Sequence, residues 1–272
     1  MSKKLGKIIG LISIKGGVGK TTSAINLAAS LANDYSKKVV VVDANFSSPN
    51  VSLHLGSLDH KHTIHHVLSD KLHMGDAVYE SDFGFHFVPG SLTPLKANYM
   101  KFKDKVKSLR KFYEFVIVDS SPSLNDELVA AMVACDDIYV ISTPDLPTLS
   151  TTLRAVKLAK NRGSSIKGLV LNKVRNKNYE LKSHEMEKLC GVPVVGLLNN
   201  SLKVSEALHD VKPVVLASPY SDVSIGYKKF AAHLANEKFS RPGKVRTLLG
   251  KFKDDFDSFK KHDFNKGFVY YK

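Results

Sequence analysis

The stretch Ser13-Ile14-Lys15-Gly16-Gly17-Val18-Gly19-Lys20-Thr21-Thr22 sets two lysines around three glycines and ends on paired hydroxyls. Glycines allow backbone N–H groups to turn inward and approach phosphate oxygens closely, and the positive end of a following helix adds to that field. Lys20 is placed to reach terminal phosphates, and the Thr21 hydroxyl to ligate a divalent cation. The common phosphate-loop pattern G-x-x-x-x-G-K-[ST] is not met in full. Ile14 stands where its first glycine belongs, and Lys15 lies just inside the loop. Two acids follow in order: Asp43 closes VVVVD and Asp119 closes FVIVD, each after four apolar residues. An acid at the C-terminal end of a strand faces the crevice where open α/β sheets bind ligands, and Asp119 there is suited to holding Mg²⁺.

The elements that must position these groups are legible from the pattern. Short β-branched runs occupy 7–14, 38–43, 85–89, 114–120, 137–143, 166–173 and 192–198. They lack strict alternation, as strands buried on both faces do. Helical patterns lie between them at 21–33, around 97–112, and at 124–134, 146–161, 178–189 and 221–239. The alternation predicts an α/β fold: a single doubly wound, mostly parallel sheet with helices on both faces. Arg241-Pro242-Gly243 punctuates the chain, so residues 1–240 read as one domain and 241–272 as a separate basic tail.

Composition excludes several classes. The hydrophobic content of 43% and charged content of 24% are those of a soluble globular chain. Cys135 and Cys190 form no C-x-x-C pair, which argues against a disulfide scaffold, a zinc ribbon and a cysteine-held iron–sulfur cluster. No run approaches the roughly 18 apolar residues of a membrane span, so a cytoplasmic protein is expected. In HKHTIHH (60–66), His62, His65 and His66 share a helical face, but no acid or cysteine completes a metal set nearby. They read as an exposed polar face. A net charge of +14 favours polyanions, either nucleic acid or an anionic membrane surface.

The chain resembles the MinD/ParA group of P-loop ATPases through KGGVGKTT, its deviant phosphate loop with a signature lysine. VVVVDANFSSPNVSLHLG resembles that family's switch I and FVIVDSSPSL its switch II, and later blocks follow in the same order. The resemblance implies ATP with Mg²⁺ as cofactors and a homodimer when ATP is bound, with an activating protein partner. ATP hydrolysis, expected to be slow because of Asn45, would drive a dimer switch in spatial organisation, such as division-site placement or partitioning of a chromosome or other cargo. By the same resemblance, residues Lys15 to Thr22 (Lys15, Gly16, Gly17, Val18, Gly19, Lys20, Thr21, Thr22) bind ATP, and Lys15 reaches the partner's phosphates. Thr21, Asp43 and Asp119 serve the metal, Asn172 in LVLNKV meets the adenine, and Lys15, Lys20, Asp43 and Asn45 serve hydrolysis. Two positions depart from the family. Asn45 stands where many members carry a second acid, and an amide cannot accept a proton from water. Asn199 stands where many have a proline beside the base.

In the tail, Val245, Leu248, Leu249, Phe252, Phe256 and Phe259 fall within an arc of roughly 100° when spaced at 100° per residue. Lysines flank that face, as in a helix lying at a membrane interface or against a partner. Three readings remain open from sequence: a membrane-associated switch, a non-specific DNA-binding partition ATPase, and an ATP-binding assembly module that barely turns over.

Overall fold

The computed structural model describes residues 5–93, 95 and 97–240. The tail face from Val245 to Phe259 lies outside the described residues. Along the chain run β1 (Lys7–Ile12), α1 (Lys20–Tyr35), β2 (Val39–Ala44), α2 (Val51–His54) and α3 (Ile64–Leu68). Next come β3 (Tyr79–Glu80), β4 (His86–Val88), α4 (Phe102–Lys107), β5 (Phe115–Ser120), α5 (Asp126–Ala134) and β6 (Asp137–Ser142). The remainder is α6 (Leu146–Asn161), β7 (Ile166–Val174), α7 (Ser183–Cys190), β8 (Val194–Asn199), α8 (Leu202–His209), α9 (Val214–Ala217) and α10 (Asp222–Ala235).

The strands form one eight-stranded sheet in the order β3-β4-β2-β5-β1-β6-β7-β8. Every pairing is parallel except β3 with β4. The doubly wound fold read from the sequence is therefore the fold observed. Side chains alternate across the pleat. Val39 and Val41 of β2 pack under α1 and α10 with Leu27, Leu31, Tyr227 and Phe230. Val40 and Val42 face the other way, onto Phe102, Val106 and Ala130 of α4 and α5. A third cluster packs β6 and β7 on that same side against α5, α6 and α7 through Ile138, Leu169, Met132, Ala155 and Met186.

Three expected elements differ. The helix around 97–112 is broken into 3-10 turns at Tyr99–Lys101 and Ser108–Lys111 on either side of α4. Like charges four residues apart, as at Lys103/Lys107 and Lys107/Lys111, work against a continuous helix there. The helix expected over 178–189 starts at Ser183, because the Glu180 carboxylate folds back to accept from Arg175 N and Lys177 N. The last helix stops at Ala235, where Asn236 takes the left-handed cap conformation. β3 is only two residues long and pairs antiparallel, too short for any periodicity to announce.

Candidate functional site

The loop between β1 and α1 is held by its glycines and by β7. Gly17 has φ +74° and Gly19 φ +92°, values that side chains resist. A Cβ on Gly19 would also stand 2.3 Å from Asn172 Nδ2. Gly16 has open space around it instead. Val18 buries its side chain in the core beneath α1, so only its backbone is available to a ligand. Asn172 Nδ2 donates to the Val18 carbonyl at 2.7 Å, and Lys173 Nζ donates to the Gly17 carbonyl at 2.8 Å. Lys173 was not signalled by its residue type; its only clue is adjacency to Asn172.

Both acids are buried at the ends of neighbouring strands, where Asp43 and Asp119 are register partners. Thr21 Oγ1 donates to Asp119 Oδ2 at 2.6 Å. Asp119 Oδ1 is buried without a hydrogen-bond partner. A carboxylate oxygen left in that condition is costly unless something else completes it. Asp43 is placed differently. Its Oδ1 accepts from Asn45 N at 3.1 Å, and its Oδ2 accepts from Asn50 N at 2.8 Å and Val51 N at 2.9 Å. Those three donors favour the anion, yet burial and then the neighbouring Asp119 outweigh them and push the Asp43 carboxyl up to about 8. Asp119 is raised by burial as well, against the hydrogen bond from Thr21 and the charge of Lys20. Burial lowers Lys20, with Asp119 opposing.

The segment from Asn45 to His54 is fastened from several sides. Asn45 is buried and its amide donates to the Ser48 carbonyl, so its side chain serves its own loop. Phe46 stacks on Tyr99 at 4.8 Å and meets Phe102 edge-on at 5.4 Å. Ser47 donates through its hydroxyl and its N–H to Glu127, a buried acid at the start of α5. His54 Nε2 stands 3.5 Å from the Thr22 hydroxyl. The expected exposed histidine face is corrected here. His65 is buried, with Nδ1 accepting from Ser91 N at 3.0 Å and Nε2 facing the Phe46 carbonyl at 3.0 Å. Those partners fix a neutral ring, and burial lowers its pKa. Among the described residues no group of three or more His, Cys, Asp or Glu side chains is placed to hold a metal.

Lys15 is engaged at the start of α6. Its Nζ donates to Thr148 Oγ1 at 2.6 Å and lies 3.6 Å from Asp145 Oδ1, at the N-terminal turn of α6. It remains about two-fifths exposed there. Lys20, Thr21, Asp43 and Asp119 thus converge, Asn172 underpins the loop, and Lys15 and Asn45 are held by other partners within the chain. Asn199 closes β8, beside the end of β7.

A family model described as an AAA domain matches residues 6–165. An uncharacterized ATP-binding protein of Methanocaldococcus jannaschii is 30% identical over 249 residues, covering 90% of this chain and 94% of that protein. The chain belongs to the MinD/ParA family of P-loop ATPases. The cell division ATPase MinD of Pyrococcus furiosus superposes with a TM-score of 0.81 at 28% identity, covering 85% of this chain and 99% of that one. The septum site-determining protein MinD of Pyrococcus horikoshii, solved in complex with Mg-ADP, gives 0.78 at 26% identity, covering 85% and 96%. Among the described residues, no helix is long and apolar enough to cross a membrane.

The paired acids set the pH response. Asp43 is raised in the folded state, whereas an unfolded aspartate ionises near 3.9. Between about pH 4 and pH 8 the folded chain holds the extra proton, so this pair's contribution to stability is lost as pH rises. Asp119→Asn removes one of the two facing charges. Its melting temperature should rise relative to wild type as pH is raised from 5 to 8 in thermal scans without nucleotide. A constant difference across that range would contradict the assignment.

Proposed function

We propose that this chain is an ATP-dependent dimer switch that binds Mg-ATP at the loop Lys15 to Thr22 and hydrolyses it slowly. The observation that carries the reading is the half-buried Thr21 hydroxyl bonded to the buried Asp119 beside the loop, with Asp119 Oδ1 lacking a partner. That donor set fits a hard divalent cation, which takes oxygen ligands. When bound, Mg²⁺ supplies charge neutralisation at phosphoryl oxygens. Thr21 and Asp119 would hold it. The loop N–H groups and Lys20 would bind and orient the phosphates, and Asn172 would border the base. Asp43 would keep the segment from Asn45 to Val51 in place and, with the metal present, act as an anion at the edge of the site.

Lys15 is the group that makes the site conditional on assembly. Released from Thr148 and Asp145, its exposed Nζ would be free to reach the phosphates held by a second copy, as an arginine finger does. Asn45 limits turnover in this reading. Its amide is spent on the Ser48 carbonyl, whereas an acid at that position would be repelled by the same carbonyl and turn toward the attacking water. Lys20→Ala should weaken ATP binding by roughly 100-fold in equilibrium titration, the scale of lost charge-assisted hydrogen bonds. Asn45→Asp should raise the hydrolysis rate by roughly tenfold while leaving affinity near wild type. Unchanged binding in the first variant or unchanged turnover in the second would overturn the corresponding assignment.

We further propose that the ATPase domain ends near residue 240 and that the amphipathic tail carries the switch to an anionic membrane surface on the cytoplasmic side. Its apolar face and flanking lysines support this, and the net charge of +14 also suits DNA phosphates. The chain truncated after Ser240 should lose co-sedimentation with anionic liposomes and keep nucleotide binding. Liposome binding that survives truncation would sink the tail's role. DNA binding that survives it and collapses with salt would replace the membrane by nucleic acid.

A further inference from the structure

Lys173 sits inside β7 with φ +57°, a left-handed conformation that a lysine seldom adopts. It falls where the pairing of β7 with β8 shifts register, between Leu171 and Val174. In a regular strand, neighbouring side chains point to opposite faces. The left-handed turn breaks that alternation and lets two successive residues serve one loop: Asn172 holds the Val18 carbonyl and Lys173 holds the Gly17 carbonyl. Across a trans peptide the C=O of one residue and the N–H of the next point in opposite directions. Holding the Gly17 carbonyl toward β7 therefore aims the Val18 N–H away from it, and holding the Val18 carbonyl does the same for the Gly19 N–H.

We propose that Lys173 is a positioning residue for phosphate binding. It keeps the Gly17–Val18 peptide turned so that its N–H faces the anion before the nucleotide arrives. This rests on the nucleotide reading of the loop, but it makes a separate claim about the loop itself. Gly17 is free to flip, since its conformation is open to glycine and nothing crowds a Cβ built there, so the loop needs an external clamp. Backbone strain that persists only because surrounding contacts hold it is a common mark of such a role. Lys173 is exposed, so removing its ammonium leaves the core untouched.

Amide hydrogen exchange in the nucleotide-free full chain tests the clamp directly. Lys173→Met should speed exchange at Val18 by roughly fivefold, while Gly19, whose peptide Asn172 holds, stays near wild type. It should weaken ADP and a non-hydrolysable ATP analogue by the same factor, with an unchanged melting temperature. Lys173→Arg should restore both readouts. Wild-type exchange and wild-type affinity in Lys173→Met would overturn the proposal. So would a loss several times larger for the ATP analogue than for ADP, which would make Lys173 a direct contact of the terminal phosphate. If wild type bound neither nucleotide, the nucleotide reading would fall, while the exchange comparison would still decide for or against the clamp.

Discussion

Two carboxylates buried side by side at the ends of β2 and β5 are the constraint to which the surrounding structure responds. Like charges out of water repel strongly, and the Lys20 charge near Asp119 offsets only part of the cost, since both carboxyls stay raised. The chain meets the problem asymmetrically. Asp43 is wrapped by three backbone N–H groups of the segment that follows it, which gives that segment its shape. Asp119 receives only the Thr21 hydroxyl and keeps one oxygen unsatisfied, with the Lys20 charge nearby. One acid thus builds a loop, and the other stays available for a cation.

That division links the site to the flank of the molecule. The loop wrapped on Asp43 sends Phe46 between Tyr99, Phe102 and His65, and Ser47 onto Glu127. A change at Asp43 or Asn45 must pull on α3, the Tyr99–Lys107 segment and α5, because a packed aromatic cluster does not deform smoothly. The lysines of that segment are partly committed to the fold as well: Lys101 and Lys105 both pair with Asp70, which holds its carboxyl down to about 2. The basic stretch that could attract a polyanion is therefore also a structural brace.

The sequence made the framework legible and left the fastenings hidden. Seven apolar runs matched seven strands because buried parallel strands need continuous β-branched residues, and strand-ending Asp43 and Asp119 were visible for the same reason. The KGGVGKTT loop announced itself through glycines whose left-handed backbone has few other residue types to serve it. Lys173 did not, since a lysine with positive φ follows from its bond to Gly17 and from the register shift between β7 and β8, neither of which a local pattern records. The Ser47–Glu127 link joins residues far apart in the chain, which no local pattern records. His65 was misjudged because HKHTIHH is polar as a string, and only the fold places that ring between Phe46 and Ser91.

Nucleotide binding at this loop depends on Asp119 and Thr21 together completing the coordination of a cation that the nucleotide brings with it. Equilibrium binding of a non-hydrolysable ATP analogue, with and without Mg²⁺, measures this most directly. The wild-type chain should bind at least roughly tenfold tighter with Mg²⁺, and Thr21→Ala should lose that gain while keeping metal-free affinity. Equal affinity with and without Mg²⁺ in the wild-type chain would contradict it.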